Sequence, residues 1–366
     1  MAVTKEQIKE VINKVEDGNY NIYFFLPDHQ PPSGGIKVVY DQVNILNQNG
    51  FNAHVIHSKT GFVPKWLESQ YEKNEDGTFK YIPILYTEDE NVPVSMEDFF
   101  FIPEGYPQVM ENMQKQKASC KKIVFCQNWF YIMNALQPGI TWDKYGIRDV
   151  LVNCQAVGDY TKLLMPAMNI KKITTSIDQS LFHCEDKTKK NFVVAFQPSR
   201  DGGMKSYNAI KTFYALYPHL KFVNFVELKG LSIEEYAEQM RNATFYVHFD
   251  EFCGWGTAPL EAFNSKTYVA GWDGVGTIDY FSQNNGWVVR NGDILGIATA
   301  IGRMIEEFIF DVASTKDRNM EATTMIYTKD QEFDSTLKVH NEYKTERVEE
   351  LKRILNMIEE TKDGSE

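Results

Sequence analysis

The stretch "NIYFFLPDHQPPSGGIKVVYDQVNILNQNGFNAHVIHS", residues 21–58, decides the fold class. It opens on an apolar run, turns through a Pro- and Gly-rich segment, and continues with Ile36, Val39, Val43 and Leu46 three or four residues apart. A second apolar run follows at 52–58. Short apolar runs bounded by turn residues read as buried strands, and the three-to-four spacing reads as an amphipathic helix. The same alternation continues along the chain. Further strands are expected at 81–86, 98–104, 121–127, 149–154 and 171–176. After a charged break at 182–190, others follow at 191–197, 220–227, 244–249, 267–272 and 286–293, with helices near 204–217 and 232–242. Strands alternating with helices imply parallel sheets covered on both faces, hence an α/β class with doubly wound sheets. The pattern predicts two similar domains, 1–184 and 185–330. A closing segment, 331–366, carries an apolar stripe of Val339, Tyr343, Val348, Leu351, Leu355 and Ile358 that needs a surface to pack on.

Bulk properties narrow the function. A chain of 366 residues suits two cores of ordinary size. With 38 basic and 50 acidic residues the formal charge is −12, which speaks against a general electrostatic grip on nucleic acid or anionic membrane. The five cysteines, Cys120, Cys126, Cys154, Cys184 and Cys253, contain no CxxC pair and leave one unmatched. Together with the lack of a signal peptide, they point to a reduced, cytoplasmic protein. No apolar run approaches the roughly 20 residues that span a bilayer, so any membrane association is expected to be peripheral.

In open parallel sheets, ligands bind beyond the carboxyl ends of the strands, so chemistry is expected in strand-to-helix loops facing an interdomain cleft. Three loops fit. In the first, Gly34 and Gly35 start a helix behind Ser33, a candidate N-cap. The second, "QPSRDGGMKSYN" (197–208), sets Arg200 and Lys205 around Gly202 and Gly203 ahead of a helix, an arrangement suited to a diphosphate. The third, "DEFCGWGTAPLEAF" (250–263), combines two acidic clusters with Gly254, Gly256 and Pro259, the last fitting a first helical turn. Other chemistries have little support. There is no GxGxxG fingerprint, no GxSxG elbow and no second His or Cys at zinc spacing from His248, which reads as a strand-borne, hydrogen-bonded histidine.

In order and spacing, the Gly-Gly loop, "SIDQSLF" (176–182), "SRDGGMKS" (199–206), "EFCGWGTAPLEAF" (251–263) and "GWDGVGTIDYFSQNNGWVVRNGD" (271–293) resemble the family-4 glycosyltransferases of the GT-B fold. The resemblance runs from about residue 20 to 310 and implies two Rossmann-like domains facing a cleft, with the C-terminal helix crossing back to the first. It implies a retaining, metal-independent transferase with no cofactor, taking a nucleotide-diphosphate sugar as donor and a glycan or glycoconjugate hydroxyl as acceptor. Carried over by position, Arg200 and Lys205 would hold the donor diphosphate and Glu261 would accept hydrogen bonds from the ribose hydroxyls. The segment Gly254, Trp255, Gly256, Thr257, Ala258, Pro259 and Leu260 would form the donor loop, its N–H groups capping the phosphates. Gly34 and Gly35 would let the first-domain loop approach the donor. Aromatic first-domain loops suggest Glu104, Asn128 and Trp129 as acceptor-side candidates.

Two departures stand out. The family's first acid lies eight residues before the second; eight before Glu261 is Cys253, while Glu251 lies ten before it. Either residue could occupy that position. The second domain also lacks one strand–helix unit usual in the family, which shortens the base-binding region. Competing readings are a GT-B phosphorylase or epimerase, a catalytically degenerate sugar-binding partner subunit, and a transferase acting on DNA bases.

Overall fold

A computed structural model describes residues 4–89, 92–184 and 191–363. The first sheet comprises β1 (Ile22–Phe25), β2 (Ala53–His57), β3 (Ile84–Tyr86), β4 (Phe99–Pro103), β5 (Lys121–Cys126), β6 (Asp149–Val152) and β7 (Asn169–Lys172), in the order β3-β2-β1-β4-β5-β6-β7. Every pairing is parallel. Its helices are α1 (Lys5–Glu16), α2 (Gly34–Gln48), α3 (Pro107–Lys115), α4 (Trp129–Ala135) and α5 (Gln155–Leu164). Most residues of the central strands are buried, as a sheet covered on both faces requires, and Phe24 stacks on Phe101 of the neighbouring strand at 4.5 Å.

The second sheet is also parallel, with β8 (Val193–Phe196), β9 (Asn224–Glu227), β10 (Phe245–His248), β11 (Tyr268–Trp272) and β12 (Trp287–Val289) ordered β12-β11-β10-β8-β9. Around and after it run α6 (Met204–Leu216), α7 (Ile233–Asn242), α8 (Ala258–Asn264), α9 (Ile294–Ile309), α10 (Asp317–Thr324) and α11 (Lys329–Asp363). A reciprocal capping box between Ser232 and Glu235 starts α7. That helix leads from β9 directly to β10, so the sheet ends on β9, consistent with one strand–helix unit fewer.

Helix α11 returns to the first sheet. Its Val339, Tyr343, Val348 and Leu351 are buried in one core with Ile8, Val11, Ile12 and Val15 of α1 and with Phe24 and Phe101, while Leu355 and Ile358 pack at the margin. Polar bonds fix its register: Lys171 meets Glu342 at 3.1 Å and Glu346 at 2.7 Å, and the Arg347 guanidinium donates to the carbonyls of Met96 and Ser119.

Four expected strands are markedly shorter than the apolar pattern suggests. Of these, 81–86 pairs only over Ile84–Tyr86 and 286–293 only over Trp287–Val289. The run 171–176 pairs only over Asn169–Lys172, because its partner β6 ends at Val152. The run 220–227 pairs only over Asn224–Glu227, preceded by a 3-10 turn at Pro218–Leu220. The charged linker falls at 185–190, outside the described residues.

The strand order reverses between β1 and β4 in one sheet and between β8 and β10 in the other. At such switch points the flanking helices leave on opposite faces and open a crevice beyond the carboxyl ends. Gly34, Gly35 and Glu104 border the first crevice; Arg200, Lys205 and the 250–261 segment border the second.

Candidate functional site

The loop after β8 is built around a left-handed turn. Gly203 has φ +87°, and a Cβ there would come within 2.5 Å of the Tyr207 ring. The turn is braced by Ser199 and Ser206. Each backbone N–H donates to the other's hydroxyl, at 3.3 and 3.2 Å, and the Ser206 hydroxyl also donates to the Gly203 carbonyl at 2.9 Å. This bracing presents the N-terminus of the 13-residue helix α6 toward the crevice. Arg200 and Lys205 flank it. The Arg200 guanidinium pairs with Asp250 at 2.7 Å, and Lys205 pairs with Glu251. Both cations therefore already face two adjacent carboxylates from the loop after β10.

That second loop is docked against the first sheet. Gly254 lies so close to β5's trailing loop that a Cβ would fall 2.0 Å from the Gln127 carbonyl oxygen. Asn128 caps α4 by accepting from the Phe130 N–H at 3.0 Å, and its amide donates to the Phe252 carbonyl at 2.9 Å. The Trp129 indole donates to the Cys253 carbonyl at 3.1 Å. Glu104, buried at the end of β4, orients this bridge by accepting from the Asn128 N–H at 2.8 Å. Burial pushes its carboxyl up to about 7. The polar atoms of Glu104, Asn128 and Trp129 thus clasp the donor-side loop. The exposed side chains nearby are Phe130 and Tyr131, and Ile132 is the α4 residue buried in the core.

The remaining donor-loop residues divide by environment. Trp255, Ala258, Pro259 and Leu260 are buried, with Trp255 edge-on to Tyr280. Gly256 has φ +71°. Cys253 is buried against Gly274, Gly256 and Thr277, and burial pushes its thiol up to about 12, leaving it neutral at pH 7. Helix α8 has only seven residues, and Thr257 at its start donates its hydroxyl to Glu261. Glu261 also accepts from the Tyr236 hydroxyl at 2.9 Å. Burial pushes its carboxyl above the usual range, while those two hydroxyls and the Lys37 ammonium from α2 pull the other way. Gly34 is exposed, with open space where a Cβ would lie, and Gly35 offers its carbonyl to the Gln127 amide at 2.9 Å. Ser33 occupies the N-cap position without a side-chain bond.

A cavity of about 510 Å³ opens beyond the ends of β8, β9 and β10, walled by Gln197, Arg200, Leu228, Gly230, Tyr246 and His248. His248 is strand-borne, as expected, but its Nε2 is buried without a hydrogen-bond partner. Tyr236 and Lys37 are site residues that linear motifs did not single out, because one comes from α7 and the other from α2. Among the described residues, no group of three or more His, Cys, Asp or Glu side chains is arranged to hold a metal ion, and no helix is long and apolar enough to cross a membrane.

No protein-family model matches the chain. An alpha-1,6-glucosyltransferase of Actinobacillus pleuropneumoniae serotype 7 (strain AP76) is 24% identical over 306 residues, covering 82% of this chain and 87% of the relative. Sucrose-phosphate synthase from Thermosynechococcus elongatus superposes with a TM-score of 0.64 at 11% identity, covering 89% of this chain and 98% of that one. Anabaena HepE, solved in complex with UDP-glucose, superposes with a TM-score of 0.60 at 13% identity, covering 88% and 99%.

Proposed function

We propose that this chain, which has the two-sheet GT-B fold, is a glycosyltransferase that moves a sugar from a nucleotide-diphosphate sugar to a glycan or glycoconjugate hydroxyl. The observation that carries the reading is the convergence of Arg200, Lys205 and the α6 N-terminus at one switch point, with Glu261 across the same crevice. A departing nucleoside diphosphate gathers negative charge, and preorganised cations and N–H donors stabilise it in the transition state. Such a set can replace a metal, so transfer is proposed to be metal-independent, with retention of configuration as the family-4 resemblance implies. The name of the relative makes a glucosyl donor the first to try.

The two ion pairs do not obstruct this role. Pairs as exposed as Arg200–Asp250 are worth about 0.2–1 kcal/mol, whereas a hydrogen bond to a charged group contributes about 1.5–3 kcal/mol. A diphosphate therefore displaces the carboxylates and frees Asp250 and Glu251 to face the donor sugar's hydroxyls. The chain is proposed to divide at 184/185 and 330/331, with the acceptor entering past the exposed Phe130 and Tyr131.

Thermal shift and calorimetry with nucleoside diphosphates and nucleotide sugars test the reading. A ligand that binds only the native state raises the transition. Lys205→Ala and Arg200→Ala are each expected to weaken diphosphate binding by about 10- to 150-fold, the equivalent of one charge-assisted contact. A protein that binds no nucleotide under any condition does not fit the proposal. A second reading, a sugar-binding partner subunit without transfer, is favoured by the neutral Cys253 at the family's acid position. Donor hydrolysis by the purified chain, abolished by Lys205→Ala, excludes it.

A further inference from the structure

Helix α5, beside the first sheet, starts without a cap of its own. Its N-cap residue, Cys154, makes no side-chain bond to the helix, and its first turn holds no acidic residue. The first N–H groups of a helix have no partner within it and carry partial positive charge. Asp279, at the end of the 3-10 turn Thr277–Asp279 after β11, supplies what is missing. Its two carboxylate oxygens accept from the Gln155 N–H at 2.5 Å and the Ala156 N–H at 3.0 Å. A helix of the first sheet is therefore capped by a carboxylate from the second. The same turn is packed on the donor loop. A Cβ on Gly276 would fall 1.1 Å from the Gly254 carbonyl oxygen, to which the Cys154 thiol donates at 3.9 Å. The Tyr280 hydroxyl donates to the Gly256 carbonyl. Asp279 thus stands where α5, the 277–280 turn and the Gly254–Gly256 segment meet.

We propose that Asp279 is a positioning residue for transfer: by capping α5 it latches the two sheets together and holds the donor loop against the first-sheet side of the crevice. Its effect on transfer rests on the nucleotide-sugar reading above, whereas the latch itself is measurable without any ligand. An N-cap side chain shifts the equilibrium it acts on by about 2- to 30-fold, and the state favoured here is the closed crevice. Loss of the latch leaves α5 folded, because its first N–H groups then bond to water. A carboxylate that only stabilised the fold would lower the melting temperature on removal and leave the dimensions of the folded chain unchanged.

The test compares the full chain with Asp279→Ala, Gln155→Pro and the double variant. Gln155→Pro breaks the latch from the other side. Proline is tolerated at a first helical position, where it removes the N–H that Asp279 accepts, and Cys154 before it is already extended at φ −151°, ψ 156°. X-ray scattering is recorded without ligand. Calorimetry with UDP, GDP, ADP and CDP, and hydrolysis of the glucose ester of the tightest binder, follow on the same samples. Both single variants should have a larger radius of gyration than wild type and hydrolyse the donor about 2- to 30-fold more slowly, with nucleotide affinity kept within about threefold. The double variant should be no slower than the worse single one, because both changes remove one contact. An unchanged radius of gyration in both single variants, or losses that add in the double variant, overturns the latch. A wild-type chain that binds none of the four nucleotides overturns the nucleotide-sugar reading, and the scattering result then judges the latch by itself.

Discussion

Glu104→Gln isolates one buried carboxyl at the hinge of the proposed site. Glu104 is 5% exposed and titrates near 7 instead of the ordinary 4.5, chiefly because burial disfavours the charged form. A group with a raised folded-state pKa adds stability that is fully present below the unfolded pKa and is lost as pH rises through the folded one. The window here runs from about pH 4.5 to about pH 7. At about 1.36 kcal/mol per pH unit, the gap amounts to about 3 kcal/mol. Glutamine keeps an oxygen to accept from the Asn128 N–H at 2.8 Å and cannot ionise. Urea unfolding of both proteins at pH 5 and pH 8 measures the difference. Wild type should lose about 3 kcal/mol more than the variant between the two, so Glu104→Gln should be the more stable protein at pH 8. Equal stability changes for both proteins across that range would refute burial as the cause and place Glu104 in contact with solvent.

Two other perturbations probe the crevice walls. Gly254→Ala places a methyl group 2.0 Å from the Gln127 carbonyl, so it should break the Asn128–Phe252 and Trp129–Cys253 bonds. It should cost about 1–3 kcal/mol; a lower melting temperature with a larger radius of gyration by X-ray scattering is expected, and no change in either measurement counts against the docked arrangement. Tyr236→Phe removes the hydroxyl held by Glu261 at 2.9 Å, a bond worth about 1.5–3 kcal/mol while the carboxylate is ionised. Its destabilisation should therefore be larger at pH 8 than at pH 4, and a pH-independent loss would assign the effect to packing.

Local periodicity was enough to read the architecture. Each of the twelve strands overlaps an expected run, and the central ones are apolar because a strand buried on both faces must be. Strand β7, with two lysines and an asparagine, overlaps its run by two residues only and is partly exposed. The stripe on α11 likewise announced a packing partner, and the family resemblance placed it on the first domain; that α1 shares that core only the structure showed. The misjudged ends, at 81–83, 173–176, 220–223 and 290–293, lie where the pairing stops, which the neighbouring strand decides and the run of residues does not.

The site was legible in part, and the division follows from the range of the interactions. Glycine-flanked turns, Arg200, Lys205 and Glu261 stand in contiguous motifs, since a turn and the helix behind it are set by neighbours in the chain. Whether an acid is free or paired, or a thiol neutral, depends on residues tens to hundreds of positions away. Glu251 rests on Lys205, Cys253 is walled in by Gly274 and Thr277, and the loop's carbonyls are held by Asn128 and Trp129. His248 makes the same point: only the assembled sheet leaves its Nε2 buried and unpaired, because burial and partners are properties of packing and not of sequence spacing.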